Sequence, residues 1–332
     1  MHEKNKGEYI MSFIGITMGD PAGVGPEIAL KALGKFEEYR KKSIIFGSKN
    51  VLQYYKDLLN IQYRLNVISS MEDFDDKCIN IVNVLDISMN EFEIGKVLDV
   101  CGHCAFKYIE TATNWALQNK IKAVVTAPLN KEALHLGGHN FDGHTEIFAA
   151  LTGTKKYAMM LWSEVLKVIH VSTHVALREA CNMTTKERIL DVIKLADETL
   201  KNMGIAYPRI AVAGLNPHSG ESGIFGNEEM IEIYPAIKQA RDININVEGP
   251  VPPDTVFLKA YKGQYDIVVA MYHDQGHIPI KLLAFDLGVN ITVGLPIVRT
   301  SVDHGTAFDI AGKGIAKEES MVNALKVADM FK

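Results

Sequence analysis

The segment DIVVAMYHDQGHIPIK, residues 266–281, decides how the rest of the chain is read. Its first half, Ile267 to Met271, is an apolar, β-branched run with no polar alternation, so neither face of the strand is left for water. That is the pattern of a strand covered on both faces, as in a parallel sheet. Its second half presents His273, Asp274, His277 and Lys281 just beyond the strand. Titratable groups clustered past the end of a buried strand point to a site.

Runs of the same kind recur along the chain as IGITM, SIIFG, LNVIS, INIVNV, AVVTAP, YAMMLW, LKVIHVS, RIAVAGL and NITVGL. Between them, GPEIALKALGKFEEYRKK and TTKERILDVIKLADETLKNMG carry apolar residues at three-and-four spacing. The first has Pro26 near its start and the second ends at Gly204. This alternation predicts an α/β fold of parallel sheet and crossover helices. The ten strand-type runs exceed one comfortable sheet, so two lobes with a cleft between them are expected. No internal repeat, low-complexity tract or linker interrupts the pattern.

Composition removes several function classes. A chain of 332 residues that is 47% hydrophobic and 23% charged is ordinary globular protein, neither disordered nor fibrous. The net charge of −5, with Lys and Arg scattered, argues against a nucleic-acid partner, which would call for positive charge gathered on one face. No apolar stretch approaches the roughly 20 residues of a membrane-spanning helix, and the start MHEKNKGEYIMSF has no apolar signal core. The expectation is a cytoplasmic protein with no membrane contact and a short polar tail before Met11. Four cysteines are too few for a disulfide scaffold. Cys101-Gly-His-Cys104 has dithiol spacing at the start of a helix, yet the other polar clusters lie elsewhere and no second CxxC or nearby His pair completes a structural zinc site. A chance pair at a helix start is the expected reading.

In open α/β sheets ligands bind beyond the carboxyl ends of the strands. Three of those ends are followed by a histidine: LKVIHVST by His174, RIAVAGLN by Pro217 and His218, and DIVVAMY by His273. Three neutral imidazoles with an open coordination position make a catalytic metal site, which could polarise a substrate oxygen or activate a water. Three separate capping or loop histidines would look the same in sequence. His170, inside its strand, is read as a core or interface residue, and His2, His103, His135 and His139 carry no signal. Gly143-His144-Thr145-Glu146 opens a helix, where backbone N–H groups favour a phosphate or carboxylate; Thr145 as an ordinary cap with Glu146 in the first turn fits equally. Lys281, Asn290 and Arg299 flank two late strands and supply a point charge, an amide and a bidentate fork. Beside a metal they indicate a doubly anionic substrate. The stretch Gly19 to Glu27 enters a helix but is neither GxGxxG nor a P-loop, and Asp303 to Gly314 is a loop rich enough in glycine for close backbone approach to a ligand.

GDPAGVGPEI and HGTAFDIAGKGIA resemble signatures of isopropylmalate and isocitrate dehydrogenases, metal-dependent enzymes that oxidise and then decarboxylate a hydroxy acid. More narrowly, MGDPAGVGPEI, GHTE, STHVALRE, NPHSGE, PPDTVF, MYHDQGHIPIK, GVNIT and GLPIVRTSVDHGTAFDIAGKG resemble, in order and over nearly the whole chain, the 4-hydroxythreonine-4-phosphate dehydrogenase family. The resemblance implies a two-lobed α/β architecture of the isocitrate/isopropylmalate dehydrogenase type, with mostly parallel sheets and an interdomain cleft. Residues 1–125 with about 280–332 would form a first, nucleotide-associated lobe, and about 126–280 a second that carries metal, substrate and dimer contacts. It implies His174, His218 and His273 as ligands of one divalent ion (Zn, Mg, Mn or Co), and His144, Thr145, Lys281, Asn290 and Arg299 as substrate contacts. It further implies NAD as cofactor, with Gly305, Asp309 and Gly312 as candidate contacts, and a homodimer in which one metal histidine comes from the partner.

TAPLNKEALHLGGHNFDGHTE and YKGQYDIVVAMYHDQGHIPIKLL look more like the branch that oxidises 4-phospho-D-threonate than the one that oxidises 4-phosphohydroxy-L-threonine for pyridoxal phosphate synthesis. The expected reaction is metal-dependent, NAD-linked oxidation at C3 of a phosphorylated four-carbon hydroxy acid, followed by decarboxylation to dihydroxyacetone phosphate and carbon dioxide. That places the chain in four-carbon acid sugar catabolism. Asp254 and Asp274 are the acid–base candidates, or orienting acceptors for a metal-bound histidine. The rivals are the biosynthetic dehydrogenase, a three-histidine metallohydrolase, and a metal or sugar-phosphate binding protein.

Overall fold

The computed structural model describes residues 13–284 and 288–332. The polar tail expected before Met11, and His2 with it, lie outside the described residues. Twelve strands occur among the described residues: β1 (Ile14–Thr17), β2 (Ser43–Gly47), β3 (Leu65–Val67), β4 (Ile79–Asn83), β5 (Ala123–Thr126), β6 (Ala158–Trp162), β7 (Lys167–His170), β8 (Ile210–Ala213), β9 (Val247–Val251), β10 (Ile267–Ala270), β11 (Val289–Val293) and β12 (Val298–Val302). Ten coincide with the apolar runs. β9 and β12 do not, for reasons of composition: β9 contains Gly249-Pro250, and β12 carries Arg299, Thr300 and Ser301 at its centre. No described helix is long and apolar enough to cross a membrane.

The chain divides into two compact units, Met1–Thr154 with Leu295–Asp329, and Lys155–Gly294 with Met330–Lys332. The boundaries expected at 125 and 280 therefore shift to 154 and 294. The first shift has a visible cause. Helix Lys131–Leu136 packs on helix Asp99–Leu117 so tightly that a Cβ on Gly102 would lie 1.9 Å from the Ala133 carbonyl oxygen. The second follows from pairing, since β11 is hydrogen-bonded to β6 of the second unit.

In the first unit the strands run β3-β4-β2-β1-β5-β12, every pairing parallel. β1, β2 and β5 are buried at every residue, as two-sided cover requires. Helix Gly25–Lys35 starts with Pro26 in its first turn, and the buried Glu27 carboxylate accepts from Lys31 Nζ at 2.8 Å and the Ala316 amide at 2.7 Å. That tie fixes the late glycine-rich loop against the first helix.

In the second unit the order is β11-β6-β7-β10-β8-β9. The β7–β10, β10–β8 and β8–β9 pairings are parallel, whereas β11–β6 and β6–β7 are antiparallel, a departure from the crossover expectation. Only the turn Ser163–Leu166 joins β6 to β7, closed by the Ser163 hydroxyl, and so short a link permits only an antiparallel pair. β9 with its proline takes the edge, where a missing N–H costs no ladder bond. β7, β10 and β8 are parallel neighbours, so their carboxyl ends and the residues that follow share one edge of the sheet.

Candidate functional site

That edge of the second unit carries the three predicted histidines on three loops, and side-chain ties hold the loops together. The Ser172 hydroxyl donates to the Met271 carbonyl at 2.9 Å, joining the loops after β7 and β10. Gln275, buried, accepts from the Met271 amide at 2.7 Å and donates to the Gly214 carbonyl at 2.8 Å, joining the loops after β10 and β8. Sequence reasoning missed Gln275, which sits among more conspicuous polar neighbours. His273 opens helix His273–Ala284, and its Nδ1 lies 2.6 Å from Asp274 Oδ1. An Nδ1–H donated to that carboxylate leaves Nε2 with its lone pair outward, the tautomer a metal ligand needs.

The His174 and His273 rings stand 5.7 Å apart between centroids. Two imidazoles that share an ion with Zn–N near 2.0–2.1 Å have centroids about 5–6 Å apart, so the pair fits a divalent cation. His218 is not brought to them. It lies in the stretch Pro217–Gly223 with left-handed backbone (φ 53°), and its ring is 6.3 Å from that of Phe225. Left-handed φ also at Ser219, Glu221 and Ser222 makes this a strained loop. Buried Glu229 holds its start by accepting from the Leu215 and Asn216 amides at 2.8 and 2.7 Å. Among the described residues no three His, Cys, Asp or Glu side chains converge on one ion position.

Two further histidines join the array. The His277 ring is stacked on His273 at 3.6 Å and 12°, and His170 lies 4.8 Å beyond His277. The i, i+4 spacing of His273 and His277 was the available signal. His170 is fully buried, as its core reading predicted, with Nδ1 3.2 Å from the Met159 carbonyl oxygen, and burial pushes it down to about 3.

Asp274 pairs with His273, while Asp254 stands exposed in the first turn of helix Pro253–Tyr261. Lys281 lies two turns beyond His273 on its helix. Asn290 and Arg299 sit inside β11 and β12, correcting the expectation that they flank strands. Asn290 donates to Met159 Sδ at 3.1 Å.

In the first unit, β12 and helix His144–Thr152 bring Arg299 and His144 together. Arg299 is 2% exposed, donates to Thr126 Oγ1 at 2.8 Å and lies 5.8 Å from the Phe148 ring centroid. Burial pulls its guanidinium down to about 9, against the opposing charge of Glu146. Burial, helped by Arg299, holds the His144 imidazole far below its usual range, and its Nε2 has no partner. The helix cap is Gly143, not Thr145, and no side chain caps it. A buried cation, a neutral imidazole and an uncapped helix start form a setting for an anion.

The two glycine-rich stretches interlock, with the Val24 amide on the Thr306 carbonyl at 3.0 Å. Of the three candidate cofactor contacts, Gly305 and Asp309 are exposed, whereas Gly312 packs on Ile94 with φ +74° and has a structural use. Asp20, buried behind this loop, has its carboxyl raised to about 6 by burial, against the Ala22 amide bonded to it. Cys101 and Cys104 are buried free thiols whose pKa values burial raises, Cys104 to about 11, so the dithiol spacing is chance. His103 and His139, given no role from sequence, stand 3.0 Å apart (Nδ1 to Nε2).

Residues 39–328 match the family model described as pyridoxal phosphate biosynthetic protein PdxA. The chain is 50% identical over 318 residues to the D-threonate 4-phosphate dehydrogenase of Salmonella typhimurium, covering 95% of this chain and 97% of that one. To the protein of the same name from Pectobacterium atrosepticum it is 48% identical over 325 residues, 95% and 98% of the two chains. Among solved structures, a 4-hydroxythreonine-4-phosphate dehydrogenase from Klebsiella pneumoniae matches with a TM-score of 0.88 and 47% identity, over 96% of this chain and 98% of that one.

Proposed function

The chain belongs to the pyridoxal phosphate biosynthetic protein PdxA family, and we propose from that premise that it is a dehydrogenase acting on 4-phospho-D-threonate. The overall reaction is oxidation at C3 coupled to reduction of NAD, with loss of C1 as carbon dioxide and release of dihydroxyacetone phosphate. Full-length likeness to two enzymes named for D-threonate 4-phosphate supports the substrate. The observation that carries the substrate class is the buried Arg299 guanidinium beside neutral His144 at an uncapped helix start. A phosphate dianion can meet that guanidinium in two directions. In this reading Thr145, Lys281 and Asn290 complete the substrate contacts, and binding energy from the phosphate positions the distant C3.

His174 and His273 would hold a divalent ion; since His218 of the same chain does not lie beside them, a homodimer with a shared active site, in which the partner supplies the third histidine, is part of the proposal. Such an ion supplies Lewis acidity at the substrate oxygens. Asp274 keeps the His273 Nδ1 proton in place, and so fixes which nitrogen faces outward. Asp254 is the proposed proton carrier, exposed and able to exchange with solvent. Gly305 and Asp309 are the open positions for NAD, with Gly312 shaping the loop that presents them.

The test is NADH formation from 4-phospho-D-threonate and 4-phosphohydroxy-L-threonine side by side, with added divalent metal and again after chelation. Metal-dependent turnover of the threonate, at the larger kcat/KM, is expected. Preference for the amino acid would move the enzyme to the activity for which the Klebsiella structure is named. Metal-dependent turnover without NAD would favour a hydrolase.

A further inference from the structure

We infer that His277, backed by His170, is a positioning residue that holds the His273 ring for metal binding; this rests on the metal site proposed above. Asp274 fixes His273 at one edge, through Nδ1. The ring face is held by His277, one helical turn on, at 3.6 Å and 12° from parallel. His277 is itself fixed: its Nδ1 lies 3.1 Å from the His273 carbonyl oxygen, so an Nδ1–H donated there sets both rotamer and tautomer.

Behind it stands His170, 4.8 Å away, rooted in β7 and tied to the Met159 carbonyl of β6. The helix comes close enough for this only because residue 276 is glycine: a Cβ there would lie 2.4 Å from His170 Nε2. The order is thus sheet, His170, His277, His273, each ring seated on the one before. A ring clamped at edge and face loses little freedom when it takes up an ion, and partners of this outer kind typically change metal affinity 10- to 100-fold.

His277 is half-buried, so a ring stack at this position adds little to the core. The experiment is Zn2+ affinity of the full-length, metal-stripped protein, measured by competition with a chromophoric chelator, for wild type, His277→Ala, His277→Phe and His273→Ala. Thermal unfolding of each metal-free variant is recorded alongside. The expected result is strong binding by wild type, loss in His273→Ala, about 10- to 100-fold weaker binding in His277→Ala, and recovery of most of it in His277→Phe, which keeps the stack. Equal affinity of wild type and His277→Ala overturns the inference and leaves the metal reading intact. Absence of Zn2+ binding by wild type removes the metal reading itself. Loss of binding in His277→Phe as complete as in His273→Ala would make His277 a ligand rather than a support. A lower unfolding temperature in His277→Ala with unchanged affinity would assign it to stability alone.

Discussion

Replacing Arg299 by Met tests whether the most buried cation of the first unit is kept for a ligand. The guanidinium is 2% exposed and pulled from 12.5 to about 9, chiefly by desolvation. At about 1.4 kcal/mol per pH unit, that depression corresponds to on the order of 5 kcal/mol of unfavourable burial for the charged form. The loss of the bond to Thr126 Oγ1 gives back about 1 kcal/mol. Glu146, whose charge opposes that penalty, is left without its counter-charge, so Arg299→Met should lie within about 1 kcal/mol of wild type in urea at neutral pH. The same change should lower kcat/KM for the phosphorylated substrate by about 100-fold or more, since two charge-assisted hydrogen bonds are removed at about 1.5–3 kcal/mol each. Urea unfolding with and without inorganic phosphate separates the effects: phosphate should stabilise wild type and leave the variant unmoved. A variant that phosphate stabilises as much as it does wild type would refute the reasoning.

Acid should destabilise the fold through its buried neutral histidines. His144 has a folded-state pKa far below the ordinary 6.5, so the unfolded chain binds the proton first, and stability present above pH 6.5 is lost as pH falls, by up to about 1.4 kcal/mol per unit. Urea titrations between pH 7 and 5 should show a shallower slope in His144→Gln, and an unchanged slope would remove His144 from the account. Gly276→Ala should lower stability by about 1–2 kcal/mol, because overpacking against His170 and Val168 exceeds the gain of about 1 kcal/mol in helix propensity; a stabilised variant would mean that the helix sits farther from His170. Thiol titration of the native protein should find Cys181 reacting fast and Cys101 and Cys104 only on unfolding, since the first is exposed and the others are buried and raised. Rapid reaction of three thiols would contradict this.

Most of the fold was legible because two-sided burial writes itself as continuous apolar runs, as at Ile267–Ala270 and Ile14–Thr17. β12 hid its strand behind Arg299 and Thr300, which bond inside the protein to Thr126 and the Ala324 carbonyl. β9 hid behind a Gly-Pro pair that reads as a turn, and the β6–β7 hairpin behind a run composition that is the same for either strand direction. At the site, His174 and His273 were legible as residues that follow parallel strands, and strand order brings their loops together. What sequence could not give was the relation among side chains: that Gln275 bridges loops, that His277 stacks on His273, and that His218 rides a left-handed turn. The Gln275 bridge joins residues 61 positions apart, the stack needs the two rotamers as well as the i, i+4 spacing, and the turn needs the backbone angle at His218.

The most direct test of the central claim is the stoichiometry of a limiting amount of 4-phospho-D-threonate turned over with NAD in the presence of a divalent metal. NADH, carbon dioxide and dihydroxyacetone phosphate should appear in equal amounts, and all three should vanish on chelation and return with metal. NADH without carbon dioxide, or products that persist in the chelated enzyme, would contradict the claim.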